Sequence, residues 1–348
     1  MGRIGKCSFS LDNTPHIVSS ACYVGEKEGK GPMREYFDKI CRDDTLGLGS
    51  WEKAESRMFE SAVRVALSKI GKQSSDLTCL LGGDLLNQII SSGFAAREIR
   101  SAFLGLYGAC STISEGLLIG AMMADGDYAD MVACAASSHF SSAERQYRYP
   151  LEMGVQATPT CQRTVTGAGC ILIKNSKTMN CKGDKTNYYF KNIALTGATI
   201  GSVEDYGITD ANNMGAAMGP AAAAVIAKHF SDFGISPDYY DKVITGDLGV
   251  FGSEMLYELC KKNGCDIEGR HEDCGKLMFD ESQNVHCGGS GCGCAATLLS
   301  GYFLPKIETG EINRVLFLAT GALLSPVSSL QGESIPSIAH AVVIEHVE

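Results

Sequence analysis

Positive charge is scarce in this sequence. Its 30 lysines and arginines are outnumbered by 40 aspartates and glutamates, which leaves a formal net charge of −10 at pH 7. Nucleic-acid binding depends on basic patches that neutralise phosphates, and the sequence has no run of lysine or arginine that would form one. We therefore expect no nucleic-acid partner.

Long apolar runs are also missing. The most apolar long window, residues 101–124, is interrupted by Glu115 and by several glycines, whereas a membrane span needs about 20 apolar residues in a row. The first residues lack the apolar stretch of a signal peptide, and Lys6 breaks the myristoylation pattern. We expect no signal or transmembrane segment, and membrane association only through a partner.

Paired cysteine motifs are missing although the sequence has 15 cysteines. Their irregular spacing differs from the dense pattern of small disulfide-rich domains. Cys292 and Cys294 have no second pair, and His271 lies in RHEDC without the CxxC or HxxxH spacing of zinc sites. We expect reduced and mostly buried thiols, no metal site and no cofactor.

Two halves of the sequence repeat one order of features. Each has a helix-like pattern, a strand ending in Gly-Asp, a glycine-rich helix start bearing cysteine, a second strand and a closing apolar run. In the first half these span residues 51–70, 77–84, 108–124, 130–136 and 166–173. In the second half they span residues 218–230, 241–247, 288–308, 314–319 and 338–345. Two unrelated α/β halves are the alternative, but the shared order favours duplication.

The repeat predicts two thiol-bearing α/β halves of similar length. We place the N-terminal half at residues 1–185, bearing Cys110, and the C-terminal half at residues 186–348. Each half also carries an insertion. The first is at residues 137–163, and the second is the polar stretch at residues 263–286.

A duplicated βαβαβαββ order with a cysteine at the helix after the second strand resembles the thiolase and ketoacyl-synthase superfamily. Ten strings make the match closer. In chain order they are GDLLNQ, GACST, ERQYRYP, TVTGAG, GITD, TGDLG, HEDCG, GGSGCGC, ATGALLSP and IPSIAH. Together they cover almost the whole chain and resemble the stage V sporulation protein AD family.

This resemblance implies an α/β protein of the thiolase fold, a five-layer αβαβα sandwich, from endospore-forming bacteria. It also implies a homodimer, binding of dipicolinic acid (pyridine-2,6-dicarboxylate), and transport of that acid into the developing spore together with SpoVA membrane proteins. The protein is then expected at the periphery of the inner spore membrane, held there by these partners.

Cys110 lies where this fold carries its nucleophile. A helix N-terminus stabilises a thiolate through unpaired N–H groups and the macrodipole; the alternative is a buried structural thiol. Thiolase-fold enzymes also need histidine from the second half, but the loops at Asp247, Ser290 and Thr320 offer no imidazole. We favour a binding protein with a vestigial nucleophile position. The alternative is an acyltransferase or condensing enzyme that forms a thioester on Cys110.

Two other pairs of residues are candidates for the site. His139 follows the strand beside Cys110, at the edge where α/β sheets bind ligands, and His271 is expected in a loop at the pocket mouth. Asp84 and Asp247 end equivalent strands, so they either face the pocket or cap the next helix. Asn87, one turn after Asp84, adds a neutral polar group if its loop faces inward.

Dipicolinate needs an apolar slot with convergent donors, which a helix N-terminus and hydroxyls can supply. Cations are expected at Arg145, Arg148 and Arg163, although the first two fit a dimer contact as well. Because an acidic protein repels a free dianion, we expect either the neutral calcium complex to bind or dipicolinic acid whose charge is met locally. The predicted ligand-binding residues are Asp84, Asn87, Cys110, Ser111, Ser138, His139, Thr166, Asp247, His271, Ser290 and Thr320.

Overall fold

The strands of the first half are runs of small and apolar residues, and the central ones are buried along their whole length. The computed structural model describes residues 2–147, 158–179 and 184–347. The strands are β1 (Gly2–Arg3), β2 (Ser8–Ser10), β3 (His16–Val24), β4 (Lys39–Ile40), β5 (Cys79–Gly83), β6 (Phe103–Gly105), β7 (Met131–Ser138), β8 (Arg163–Thr164) and β9 (Gly167–Lys174). The helices are α1 (Trp51–Ser68), α2 (Ile90–Ile99), α3 (Thr112–Asp125), α4 (Phe140–Tyr147) and α5 (Ser176–Met179).

The second half repeats this order. Its strands are β10 (Ile193–Thr199), β11 (Lys242–Thr245), β12 (His271–Asp273), β13 (Gly289–Ser290), β14 (Arg314–Ala322) and β15 (Ser337–His346). Its helices are α6 (Met214–Phe233), α7 (Gly249–Lys262), α8 (Cys274–Met278), α9 (Cys292–Leu298), α10 (Leu304–Glu308) and α11 (Pro326–Leu330). A π-helical turn, Leu299–Phe303, joins α9 to α10.

The sheet order shows the duplication directly. From the middle outward, the first half runs β3, β9, β7, β5, β6, and the second half runs β10, β15, β14, β11, β12. The strand directions match as well, because the β7–β9 and β14–β15 pairs are antiparallel while β5–β7 and β11–β14 are parallel. β10 joins the two halves of the sheet, because it pairs with β3 at His16 and with β2 along Ser8–Ser10.

Helices separate and cover the two halves of the sheet. α3 contacts β7 of the first half and β15 of the second, and α9 lies against β7 and β9. On the outer faces, α1 packs against β3 and β9, and α6 against β14 and β15. This arrangement is the predicted five-layer αβαβα sandwich. The connection between α5 and β10 contains the boundary we placed between residues 185 and 186.

The polar stretch at residues 263–286 is not the plain insertion we predicted. It contains β12 at the edge of the sheet, where β6 stands in the first half, followed by α8. An edge strand has one open side, so polar residues such as Glu272 are tolerated there and hide the strand pattern. α6 likewise begins earlier than predicted, because the Asn213 side chain caps it by accepting from Ala216 N–H.

The cysteines of the described residues are all free, and all except Cys7 are buried. This agrees with the expectation of reduced thiols for that part of the chain. In the same residues, no helix has both the length and the apolar content that crossing a bilayer requires.

Candidate functional site

A cavity of about 60 Å³ lies where the two halves meet at Cys110. The first half lines it with Leu85, Ala109, Cys110, Ala143, Glu144, Tyr147 and Thr164. The second half lines it with Met214, Met218, Ser290, Ala322 and Leu324. The walls are therefore mainly apolar, with a few polar groups, as is usual for small-molecule sites.

A tight turn presents Cys110 to this cavity. Residues Ala109–Ser111 form a 3₁₀ turn before α3, and Ala109 has a φ of 49°, a left-handed conformation that costs a non-glycine residue about 1 kcal/mol or more. The hydroxyls of Ser111 and Thr112 stabilise the turn by donating to the carbonyls of Gly108 and Ala109, both at 2.6 Å. The turn thus places Cys110, which is 7% exposed, at the cavity.

Asp247 lies opposite Cys110, at the end of β11. Its fully buried carboxylate accepts hydrogen bonds from Gly291 N at 2.8 Å, Ser290 Oγ at 3.0 Å and Thr320 Oγ1 at 3.2 Å. The Cys110 thiol lies close enough to this carboxylate for the two groups to interact electrostatically. Four of the predicted site residues therefore form one cluster, which links loops from both halves.

The cluster keeps the Cys110 sulfur protonated. Burial raises the pKa of the thiol well above its ordinary value, and the neighbouring charge of Asp247 raises it further. Burial also raises the pKa of Asp247 to about 7, although the interactions with Gly291, Cys110 and Ser290 favour its charged form. The thiolate that we expected from the helix N-terminus is thus disfavoured, because desolvation and a facing carboxylate outweigh the helix dipole.

Both candidate histidines are structural. His139 is fully buried, donates from Nε2 to the Asp44 carbonyl at 2.7 Å, and accepts at Nδ1 from Ser141 N at 3.2 Å. Burial lowers the pKa of His139, so the ring is neutral. Neither nitrogen is free for a ligand, and the ring does not line the cavity around Cys110.

His271 lies in β12 rather than in a loop at the pocket mouth. Thr245 Oγ1 donates to Asp273 at 2.6 Å and therefore accepts from His271 Nε2 at 2.7 Å. The other ring nitrogen, Nδ1, accepts from the Tyr257 hydroxyl at 3.0 Å. Burial lowers the pKa of His271 to about 3, so this imidazole is a neutral part of the packing.

Asp84 differs from its counterpart Asp247 and caps local backbone. Its two oxygens accept from Leu86 N at 2.8 Å, Ser92 N at 2.8 Å and Ser92 Oγ at 2.6 Å. Asn87 is exposed, and its N–H donates to Gln146 at 2.9 Å. Asp84 therefore caps backbone, and Asp247 bonds to the cavity-lining Ser290 without lining the cavity itself.

Three predicted hydroxyl donors are used within the protein. Ser111 closes the turn before α3, and Ser138 Oγ donates to the Val165 carbonyl at 2.6 Å while accepting from Gly293 N at 3.0 Å. Thr166 Oγ1 accepts from Phe140 N at 3.1 Å. Ser138 therefore ties the start of α9 to the first half and so positions Ser290, but it does not line the cavity itself.

The two predicted cations that the structure describes do not line the cavity. Arg145 forms an ion pair with Glu52 and stacks on the Trp51 ring, and Arg163 stacks 3.6 Å above the Phe140 ring. Burial lowers the pKa of Arg163. Arg148 lies outside the described residues. These contacts place both described arginines beside the site and not in it.

The wall opposite Cys110 is formed by residues that the sequence did not predict. Glu144 and Tyr147 reach it from α4, which lies in the first-half insertion, and Met214 and Met218 reach it from the first turns of α6. Each pair has helical spacing of three or four residues. That spacing was a usable signal, but nothing in it showed which side of the helix meets the cavity.

The cavity offers acceptors rather than donors. Ser290 Oγ donates to Asp247, Thr164 Oγ1 donates to Glu144 at 3.3 Å, and the Tyr147 hydroxyl donates to the Leu85 carbonyl. Among the described lining residues there is no lysine, arginine or histidine. Glu144 is 4% exposed, so its carboxylate is the most strongly polar group that faces the space.

Solved structures of acyl-processing enzymes share this fold. Human mitochondrial 3-ketoacyl-CoA thiolase in complex with CoA matches with a TM-score of 0.60 at 10% identity, over 97% of this chain and 99% of that chain. The 3-oxoacyl-[acyl-carrier-protein] synthase III of Aquifex aeolicus VF5 matches with a TM-score of 0.55 at 12% identity, over 95% and 100%. At such identities the similarity shows the fold alone.

Sequence comparison is more specific. The family model of stage V sporulation protein AD matches residues 5–345. Stage V sporulation protein AD of Bacillus subtilis (strain 168) is 40% identical over 345 residues, which are 99% of this chain and 98% of that protein. The chain therefore belongs to the stage V sporulation protein AD family.

Proposed function

We propose that this protein binds dipicolinic acid as its calcium complex in the cavity beside Cys110. In this proposal it assists transport of the acid into the developing spore, together with SpoVA membrane proteins that hold it at the inner spore membrane. The observation that carries the binding role is the buried carboxylate of Asp247, whose charge acts on the Cys110 thiol. A nucleophilic cysteine needs a base that accepts its proton and a stabilised thiolate, whereas Asp247 raises the pKa of this thiol.

The charge of the cavity favours the calcium complex over the free diacid. Free dipicolinate presents two carboxylates and needs donors, but the lining hydroxyls donate to protein acceptors. Calcium prefers oxygen ligands and takes 6–8 of them. The buried Glu144 carboxylate supplies one such oxygen ligand to a calcium ion whose remaining ligands come from dipicolinate and water.

The size of the cavity requires movement on binding. Its volume of about 60 Å³ is well below the ~150 Å³ in which a cavity holds benzene. Met214, Met218 and Leu324 form the apolar side, and methionine side chains adapt readily to new shapes because they are unbranched and flexible. We propose that these three side chains move outward when the ligand enters.

Titration calorimetry with dipicolinate tests this function, in calcium and in a chelating buffer. The proposal predicts one site per chain, at least about tenfold stronger binding with calcium, and a clear loss of affinity in Glu144→Gln. The exposed Glu281→Gln is the matched control and keeps full affinity. Equal affinity with and without calcium contradicts the calcium complex, and no binding in either buffer contradicts the function.

A separate experiment addresses the alternative acyl-transfer reading. The protein is incubated with several acyl-CoA thioesters, and its intact mass is then measured. Because the thiol of Cys110 is held protonated, we expect no stable acyl adduct at that residue. An adduct that disappears in Cys110→Ser would instead support acyl transfer.

A further inference from the structure

One surface next to the cavity exposes large apolar side chains. It is formed by residues 200–213 and 322–337, named here the docking face. Leu330 is 89% exposed, Val327 64%, Tyr206 62% and Val203 54%. Single exposed apolar residues are common on proteins, but a group of this kind on one surface is typical of an interaction site.

Hydrogen bonds join the two segments into one surface. Glu204 and Ser337 exchange backbone bonds of 2.8 Å in both directions, and Ile335 N donates to the Ile208 carbonyl at 2.7 Å. The Ser334 hydroxyl also donates to Asp205 at 2.6 Å. The segment that carries Val203 and Tyr206 is therefore bonded to the chain that follows α11, the helix that carries Val327 and Leu330.

The docking face is negatively charged. Glu204, Asp205, Asp210 and Glu333 lie in these two segments, which contain no lysine or arginine. Their bonds come from neutral groups, namely Ser202 Oγ to Glu204, Gly207 N to Asp205 and Asn212 N to Asp210. Within the described part of the chain, no ion pair reaches these carboxylates.

The histidine beneath this surface does not offset the charge. His340 Nδ1 accepts from Gly201 N at 3.4 Å, and burial lowers the pKa of His340 to about 4. The hydrogen bonds from Ser334 and Gly207 lower the pKa of Asp205, so its carboxylate is charged at neutral pH. The combination of apolar residues and unbalanced acidic ones is thus kept at physiological pH.

This chemistry selects the kind of partner. An anionic bilayer repels carboxylates, and the equally acidic docking face of a second copy is repelled as well. A helix with lysine or arginine on one side and apolar residues on the other complements both features of the surface. We propose that the docking face binds a basic amphipathic segment of a partner protein.

The position of the docking face links it to the cavity. Ala322 and Leu324 belong to this face and also line the cavity at Cys110. A bound segment therefore contacts the apolar side through which we expect the ligand to enter. Docking of the segment needs no ligand in the cavity. The inference rests on the proposed function only where it links docking to entry of the ligand into the cavity.

A synthetic amphipathic helical peptide of lysine and leucine is the probe, and fluorescence anisotropy gives its affinity. We expect binding that weakens with salt, and that weakens at least about tenfold both in V327S/L330S and in D205N/D210N. Tyr128→Ser is the control, because Tyr128 is 81% exposed on another surface. A glutamate and leucine peptide of the same length should not bind.

Three outcomes would overturn the inference. The first is an unchanged peptide affinity in both double variants. The second is binding of the unaltered protein to phosphatidylglycerol vesicles that both double variants lose. The third is a dimer of the unaltered protein that both double variants fail to form. Calorimetry with calcium dipicolinate separates this inference from the proposed function. We expect V327S/L330S to keep dipicolinate binding, and failure of the unaltered protein to bind dipicolinate would refute the cavity ligand while leaving the peptide result standing.

Discussion

At the residue scale, Asp247 decides what Cys110 can do. The carboxylate adds negative charge beside a sulfur that is already desolvated, so the thiol keeps its proton. The same aspartate also binds Ser290 and Thr320, so it holds together the second-half loops that face the first half. One side chain thus sets both the protonation state of the sulfur and the shape of the cavity floor.

Removing this charge should make Cys110 more reactive. Asp247→Asn keeps the size of the side chain but eliminates the negative charge, which lowers the pKa of the thiol. We expect the alkylation rate of Cys110 by iodoacetamide at pH 8 to rise by about tenfold, which equals about 1.4 kcal/mol. Mass spectrometry of the peptide containing Cys110 measures the rate. An unchanged rate, with Asp210→Asn as the control, would show that Asp247 does not control this sulfur.

Glu28 predicts a pH dependence of stability. It is fully buried and accepts from Thr166 N at 3.1 Å, and burial raises its pKa to about 7 from the ordinary 4.5. The folded protein therefore holds a proton that the unfolded chain releases between pH 4.5 and 7, so this stabilisation is lost as pH rises through that window.

A comparison of the wild type with Glu28→Gln isolates this effect from other titrating groups. The neutral glutamine has no proton to lose, so the free energy of unfolding of the wild type should fall relative to the variant by up to about 3 kcal/mol between pH 4.5 and 8. Urea unfolding at several pH values gives this difference. A difference that stays constant, or that grows in favour of the wild type, would show that Glu28 is charged in the fold.

At the element scale, the repeated strand and helix order was readable because each central element is long and strongly apolar. β5, β7 and β9 are buried along their whole length and give continuous apolar runs. β12 was missed because an edge strand of three residues, His-Glu-Asp, has no apolar pattern. The meeting of Cys110, Asp247, Ser290 and Thr320 was predictable because equivalent strand ends converge in a duplicated fold.

The rest of the site depends on packing that spacing does not reveal. α4 belongs to an insertion, so the repeat says nothing about where it lies, and Glu144 and Tyr147 were therefore not predicted. The roles of His139 and His271 were misjudged for a similar reason. His139 follows a strand and His271 lies in one. Each ring points into the protein, where His139 bonds to the Asp44 carbonyl and His271 to the Thr245 hydroxyl.

Close contact between two elements gives a further test. A Cβ on Gly321 of β14 would lie 2.1 Å from the carbonyl oxygen of Gly108, in the turn that carries Cys110. Gly321→Ala must push the turn away, and we expect a loss of about 2 kcal/mol in the free energy of unfolding. Urea denaturation measures it. Gly49→Ala, where no atom lies within 4 Å, is the control, and equal stability of the two variants would contradict the contact.

At the scale of the whole molecule, no described strand pairs with the outer side of β6, at the first-half edge of the sheet. β6 is the last described strand on that side. Its Leu104 is 51% exposed, and Tyr107, which follows the strand, is 64% exposed. An unpaired apolar edge strand tends to pair with another chain. We propose that two copies of the protein associate through β6, which is compatible with the docking face because that face lies in the second half.

Light scattering after size exclusion tests this association. We expect a homodimer for the wild type and a monomer for Leu104→Lys, because a charge on the strand opposes pairing between two sheet edges. Tyr128→Lys, on a different exposed surface, should remain dimeric. A wild-type monomer, or a dimer that Leu104→Lys leaves intact, would contradict pairing through β6.

The most direct test of the account is a crystal structure of the protein soaked with calcium dipicolinate. The account predicts the ligand in the cavity beside an unmodified Cys110, with calcium coordinated by Glu144 and with Met214, Met218 and Leu324 displaced outward. Ligand bound elsewhere on the protein, or an undisturbed cavity at saturating ligand, would contradict it.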